Sequence, residues 1–426
     1  MRKTSILLLI CLAGLNLTNV IAQVKPITLH PGNPHYFSYK GKPTILITSG
    51  EHYGAVMNPD FDYRQYLETL QKDGLNLTRT MTGAYFEPAG AFNISKNTLA
   101  PDALKYLCPW VRVEKGLKFD LNRWDKAYFN RLKDFVSEAK KRTDVYTVDK
   151  NKGLLAIQEK MVRKVVEELK GFPNLIYEIC NEPYFGGITI EWQNRISQVI
   201  TETEKSFRNQ HLISQNIGNG FQKIQEPNPL VSVFNFHYAA PPKAVTLNYG
   251  LNKVIGENET GFNGQKDLTY RKEAWELILA GGGLFNNLDY SFTTDNEDGT
   301  FQYPAAQPGG GTPAFRRQLG YLKKFFESFN FVAMKPDTTV YSGGLTGKNK
   351  VYVLAETGKQ YAIYWMGGQQ VQLELNLPKG NYSLEWMNPL SGKSEKKIEL
   401  NHAGGKAKFD SPAYSEDFSL RILNLN

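Results

Sequence analysis

From Thr44 to Phe329 the sequence alternates short, apolar, β-branched runs with longer stretches of helical periodicity, and this rhythm restricts the fold more than any other feature. Thr44–Ser49 and Leu75–Thr80 read as buried strands, with a helix between them over Asp62–Lys72 through Tyr63, Tyr66, Leu67 and Leu70. Helical spacing recurs over Trp124–Arg142 and Leu154–Lys170. Strand Leu175–Cys180, helix Glu191–Arg208, and strands Leu212–Gln215, Val231–His237 and Lys253–Glu257 follow in order. Helix Asp267–Leu279, strand Gly283–Tyr290 and helix Pro313–Phe329 complete the series. Strands joined by helical crossovers run parallel, and their number predicts closure into a (β/α)8 TIM barrel. The third strand is weak or missing. Arg142 runs into Thr143-Asp-Val-Tyr-Thr-Val148 without a turn residue, so the strand is either short, at Val145–Val148, or absent. Absence is the preferred reading, and such a loss would impair any site built on the barrel.

The pattern changes from about Phe331. Alternating runs at Lys350–Ala355, Gln360–Trp365, Val371–Leu375, Tyr382–Trp386, Lys396–Leu400 and Phe418–Leu423 are separated by Gly, Pro and Asn. They predict a small β-sandwich over residues 331–426, following a barrel domain over 23–330. Residues 1–22 read as a cleaved bacterial-type signal peptide: Arg2 and Lys3, an apolar run from Ile6 to Leu15, and the small-residue site ending at Ala22. That apolar run is too short to span a bilayer, so the mature chain is expected to be secreted or periplasmic, with no membrane span. The formal charge of +8 falls to +6 once Arg2 and Lys3 are removed, and no dense Lys/Arg block marks a nucleic-acid partner. Cys108 and Cys180 remain after cleavage, too few for a disulfide framework and without metal-ligand spacing.

The chemistry concentrates at predicted strand ends. Strand four closes on Asn181-Glu182-Pro183, which sets a carboxylic acid and its neighbouring amide at the C-terminal rim of the barrel, where such folds build their sites. Strand seven ends in Glu257-Asn-Glu259, and period-two alternation puts both acids on one face, leaving either as the partner of Glu182. Arg79 ends strand two, His237-Tyr238 ends strand six, Glu51-His52-Tyr53 ends strand one and Asp289-Tyr290 ends strand eight. Two carboxyl groups facing each other across a rim suit glycosidic bond cleavage, in which one acts as acid/base and the other as nucleophile.

With these residues in this order, the chain resembles clan A of the retaining glycoside hydrolases, the cellulase-like barrels. The match covers roughly Gly32 to Phe329, and Glu259-Thr-Gly-Phe262 resembles the strand-seven turn of a bacterial secreted subgroup with a C-terminal sandwich. The resemblance implies Glu182 as a protonated acid/base and Glu259 as nucleophile, with Glu257 the alternative. It implies that Arg79 holds the nucleophile ionised, that Asn181 bonds a sugar 2-hydroxyl, and that His237 or Tyr238 orients the nucleophile. Glu51, His52 and Tyr53 are expected to bind substrate or to cap the barrel, and Asp289 and Tyr290 to contact substrate. Tyr85, Phe86, Trp110 and Trp124 are possible stacking partners for sugar rings, although core packing is the commoner use of any one of them. The expected partner is a β-linked poly- or oligosaccharide, and neither metal nor organic cofactor is implied. The competing expectation is a catalytically impaired carbohydrate-binding or adhesion protein on a degenerate barrel, motivated by the third strand.

Overall fold

The structure is a computed structural model that describes residues 25–82, 85–114, 117–142, 145–149, 155–240, 242–345, 350–367 and 370–426. The signal-like segment, residues 1–22, lies outside the described residues. Eight strands form the barrel: β1 (Leu46–Gly50), β2 (Leu77–Met81), β3 (Val145–Asp149), β4 (Leu175–Glu178), β5 (Leu212–Asn219), β6 (Val233–His237), β7 (Val254–Glu259) and β8 (Leu284–Leu288). All seven ladders between them are parallel, in the order β1-β8-β7-β6-β5-β4-β3-β2.

The third strand is therefore present, contrary to the preferred sequence reading. β3 pairs with β2 along Leu77–Met81 and with β4 from Leu175 to Tyr177. A β-branched and aromatic run suffices to make a five-residue strand when both neighbours offer open edges. The motive for expecting an opened, impaired barrel disappears with it.

The β1–β2 seam closes differently. Asn76, buried just before β2, donates its side-chain amide to the Ile45 carbonyl (2.8 Å) and accepts from the Ile47 N–H (3.0 Å). Its own backbone N–H reaches the Ile47 carbonyl at 3.2 Å. One side chain thus supplies the bonds that a regular ladder would have made.

Among the described residues seven helices surround the strands: α1 (Tyr63–Lys72), α2 (Lys126–Arg142), α3 (Leu155–Leu169), α4 (Ile190–Glu204), the short α5 (Lys243–Asn248), α6 (Asp267–Leu279) and α7 (Pro313–Glu327). Residues 220–232 join β5 to β6 without a helix. α1 starts where the Asp62 carboxylate accepts from Arg64 N, and α7 where the Thr312 hydroxyl accepts from Phe315 N ahead of Pro313. At the N-terminal end of the barrel, Leu46, Leu77, Ile176, Val233, Val254 and Leu284 form an apolar layer. Phe37 and Tyr39 of a small N-terminal sheet, with Ile27 just before its first strand, plug it. Above that layer the interior turns polar toward the C-terminal rim. Gly256 has no side chain there because a Cβ would lie 2.3 Å from Asn235 Oδ1.

The C-terminal strands form a six-stranded and a three-stranded antiparallel sheet, with Trp365, Trp386, Phe418, Leu373 and Leu375 in the core of this region. The outer face of the larger sheet packs on α6. Tyr364 stacks on Trp275 at 5.1 Å, and the buried Arg271 forks onto Asp417 at 2.9 and 2.7 Å. Among the described residues no helix is long and apolar enough to cross a membrane.

The seam yields a test. Asn76→Ala strands the Ile47 N–H and the Ile45 carbonyl without partners in a buried setting, at about 1–3 kcal/mol each. The expected loss is about 2–6 kcal/mol, read from chemical denaturation midpoints. An unchanged midpoint would show that the barrel closes without Asn76.

Candidate active site

Strand tips deliver the site. Arg79, on β2, projects into the polar half of the barrel and is 3% exposed, so its charge has to be met internally. It donates to Glu259 Oε2 of β7 (3.2 Å), to Asn181 Oδ1 (2.8 Å) and to Glu178 of β4. Glu178 was not singled out in the sequence, although it shares the inward parity of Ile176 and is a lone charge in an apolar strand. Its second oxygen accepts from Asn258 (2.5 Å) and, at 3.4 Å, from Asn235.

Glu259 is held from several strands at once. Tyr238 donates to its Oε1 at 2.6 Å, Tyr53 to its Oε2 at 3.2 Å, and His237 Nδ1 lies 3.6 Å from Oε2. Burial alone would push its carboxyl up, but His237, Arg79, the Tyr238 hydroxyl and His52 outweigh it, and Glu259 sits below the ordinary carboxylate range. Glu182 stands opposite and half-buried. His237 Nδ1 lies 3.0 Å from its Oε1, and the Tyr184 hydroxyl approaches the same atom at 3.3 Å. The other ring nitrogen of His237 is 2.6 Å from the Asn216 amide. One oxygen each of Glu182 and Glu259 and a ring nitrogen of His237 lie within 4.8 Å of one another, a spacing that could also hold a metal ion.

Glu257 parts company with Glu259. The β6–β7 register pairs Phe236 with Glu257 but His237 with Glu259, so a bulge at Asn258 breaks the alternation that was expected to keep the two acids on one face. Asn258 joins Glu259 on the inner side. Glu257 instead accepts from the Ala239 N–H at 2.5 Å beside Glu273 and Glu276 of α6. Burial first, and then the Glu273 charge, hold it well above the ordinary carboxylate value.

Where their strands end, Tyr53 (φ 69°), Glu182 (φ 43°) and Tyr238 (φ 50°) adopt left-handed backbone conformations without being glycine. Each costs of order 1–3 kcal/mol, and such strain gathers at functional sites. A cavity of about 310 Å³ opens over the carboxylates. His52, Tyr53, Tyr85, Glu87, Asn181, Glu182, Asn219, Tyr238 and Glu259 supply its polar lining, and Phe92, Phe185 and Phe262 its aromatic rim.

Several expected contacts lie elsewhere. Glu51 caps the turn after β1, accepting from Gly54 N, Ala55 N and the Thr98 hydroxyl, and burial raises it to about 7. Asp289 binds Arg316 (2.8 Å), Ser49 and Ser291 rather than facing the cavity. It is pressed by Gly311 (φ 81°), where a Cβ would fall 2.1 Å from its carboxyl carbon. Tyr290 is buried behind His52 and Phe262, Trp110 stacks on Trp124 within a loop hairpin, and Phe86 packs against Tyr106. His52 and Tyr85 do line the cavity, and both meet Glu87, which sequence spacing did not single out.

A family model described as "Putative collagen-binding domain of a collagenase" matches residues 336–425. No curated protein matches the sequence. A solved structure named "Glycoside hydrolase" is similar at a TM-score of 0.67 with 15% identity, covering 94% of this chain and 97% of that one. A glycoside hydrolase family 5 structure from Bacteroides vulgatus ATCC 8482 has a TM-score of 0.67 and 13% identity, with 94% and 93% coverage. The chain has the fold of these glycoside hydrolases.

The placement of Glu257 gives a prediction with a definite sign. A carboxyl raised in the folded state is held protonated there while the unfolded chain ionises near pH 4.3, so wild-type stability falls as pH rises above about that value. Glu257→Gln keeps the acceptor for Ala239 and removes the titration. Its stability relative to wild type should grow from pH 5 to pH 8 in denaturant titrations, with turnover close to wild type. A loss of turnover like that of Glu259→Gln would show that Glu257 takes part in the chemistry.

Proposed function

We propose that the protein is a secreted retaining glycoside hydrolase that cleaves β-glycosidic bonds of a poly- or oligosaccharide by double displacement. The observation that carries this reading is that one carboxylate oxygen of Glu182 and one of Glu259 lie within 4.8 Å of each other. That is near the roughly 5–5.5 Å of retaining pairs and short of the roughly 6.5–9.5 Å that leaves room for a water in inverting pairs. The fold shared with solved glycoside hydrolases supports it.

In this reading Glu259, kept ionised by His237 and Arg79 and aimed by Tyr238 and Tyr53, attacks the anomeric carbon. Glu182 protonates the leaving oxygen and then takes a proton from the water that resolves the glycosyl-enzyme. Arg79 occupies Asn181 Oδ1, which turns the amide N–H toward a sugar 2-hydroxyl. His237 bridges the two acids, so it can follow the charge as it passes from one to the other. The leader-like residues 1–22 support export.

The match of residues 336–425 to a collagen-binding description favours a second role, in which the C-terminal module holds the protein to an extracellular fibre or polysaccharide. Co-sedimentation of the full chain with insoluble collagen and with insoluble polysaccharides separates these ligands, and loss to the supernatant in every case would remove the role.

Glu182→Ala and Glu259→Ala should each lower hydrolysis of an activated aryl glycoside by about 10²–10⁴-fold or more. A 2-deoxy-2-fluoro glycoside should label Glu259 covalently, as read by peptide mass spectrometry, and EDTA should leave turnover unchanged. Wild-type-like turnover in either variant would sink the assignment. Loss of turnover in EDTA with recovery on adding a divalent metal would reassign the cluster.

A further inference from the structure

Resting on the glycosidase reading, the rim decides which part of a saccharide chain can enter. The leaving group must depart past Glu182, because that carboxyl protonates its oxygen. This is the β4–β5 side, where Phe185 stands 72% exposed and Tyr184 is tied to Asn219 of β5. The sugar that Glu259 attacks therefore extends toward the loops after β1, β2, β7 and β8.

Those loops are bonded to one another. In the β2–α2 loop, the Asn93 amide donates to the Ala306 carbonyl (2.9 Å) and the Ser95 N–H to Gln307 Oε1 (2.9 Å), both partners lying in the β8–α7 loop. From the β7–α6 loop, the Gln265 amide reaches the Pro304 carbonyl at 2.8 Å and the Gln307 carbonyl at 3.3 Å. Phe92 meets Phe262 edge-to-face at 6.5 Å, so the β2 and β7 loops also touch directly. The result is a continuous wall across the side where further sugars of a long chain would have to run. The cavity it bounds, about 310 Å³, is at the small end of the roughly 300–1,000 Å³ of small-molecule sites.

Within the cavity lining on the walled side sit His52 and Glu87. His52 Nε2 lies 3.4 Å from Glu87 Oε1, and Glu87 is oriented by Tyr85 (3.0 Å) and Asn97 (2.5 Å). With three donors on it, the Glu87 carboxylate keeps acceptor capacity toward the cavity that it and His52 line, which suits the O–H of a free sugar hydroxyl. An internal residue carries the next sugar where a terminal residue has that hydroxyl.

We infer that the enzyme works from the non-reducing end, releasing the terminal sugar, with His52 and Glu87 recognising the hydroxyls that mark a chain end. The bond from the terminal anomeric carbon to the leaving oxygen breaks. Glu259 forms an ester to that carbon while Glu182 gives the leaving oxygen its proton; water then attacks the same carbon, the ester bond to Glu259 breaks, and the water's proton restores Glu182.

The test uses the full chain and β-1,4-linked gluco-, manno- and xylo-hexasaccharides labelled at the reducing end, with the non-reducing terminal 4-hydroxyl free or methylated. Products are read over time by mass spectrometry, and binding is titrated calorimetrically on Glu259→Ala. The expected result is a labelled ladder shortening one unit at a time, with methylation lowering cleavage and binding at least tenfold. Glu87→Ala should reduce the free-over-methylated preference about tenfold, with its unfolding temperature near that of wild type. Internal fragments appearing first, or equal handling of free and methylated chains, would overturn the end-directed inference and leave the glycosidase reading standing. An undiminished preference in Glu87→Ala would overturn the role of the pair. If no chain is cleaved or bound, the glycosidase reading falls and this inference with it.

Discussion

A guanidinium buried inside a barrel cannot be left to water, and the upper half of this molecule is arranged around that requirement. Arg79 is met by Glu178 and Asn181 at the end of β4 and by Glu259 at the end of β7, so one cation fixes groups from opposite sides of the rim. Two carboxylates around one guanidinium leave a surplus of negative charge, and the remaining lone pairs are taken up by Asn258, Asn235, Tyr53 and Tyr238. Such a network is worth having only when it is complete, because a buried charge left unpaired costs several kcal/mol. This is why the interior changes from an apolar plug of Leu, Ile and Val at the bottom to amides and acids at the top.

The rim reaches this geometry by departing from regular strand structure. The bulge at Asn258 turns two acids spaced for one face into one acid inside and one outside. The outer acid, Glu257, is buried beside Glu273 and Glu276 with the Ala239 N–H as donor, and the inner one, Glu259, is surrounded by donors. Identical side chains two residues apart are thereby driven in opposite directions, one toward the neutral form and one toward the ionised. Tyr53, Glu182 and Tyr238 bend into left-handed conformations where their strands end, which aims each side chain back over the barrel mouth. The energy for this is drawn from the packing below, where residues of β1, β2 and β4 to β8, the surrounding helices and the Trp275–Tyr364 contact with the C-terminal sheets form one buried cluster.

Much of this was legible in advance. The alternation of strand and helix identified a parallel barrel, and most predicted helices fall within a few residues of those observed, as with Asp267–Leu279 and Pro313–Glu327. Asn181-Glu182, Arg79, His237-Tyr238 and Glu259 were visible because strand ends are marked by local signals: an apolar run, then a polar residue, then a helix start. The third strand was misjudged because its identity rests on hydrogen bonds to two neighbours far away in sequence, not on a turn residue before it. Glu51, expected to bind substrate or to cap the barrel, and Asp289, expected to contact substrate, both sit at strand tips. A tip fixes only where the backbone ends, and turn amides claimed the first carboxylate while Arg316 claimed the second.

The sequence by itself determined the order of elements, the polar residues at the rim and the change to β-structure after the last barrel helix, since these depend on periodicities of two and 3.6 and on local chemistry. Only the tertiary structure decided which acid of strand seven faces Glu182, because a one-residue bulge is set by the neighbouring strand's register. Tertiary structure alone likewise brought Glu87 to His52 and joined the loops after β2, β7 and β8 into a wall. Those contacts link residues up to roughly two hundred positions apart, such as Asn93 and Ala306, and no local pattern encodes a distance of that kind.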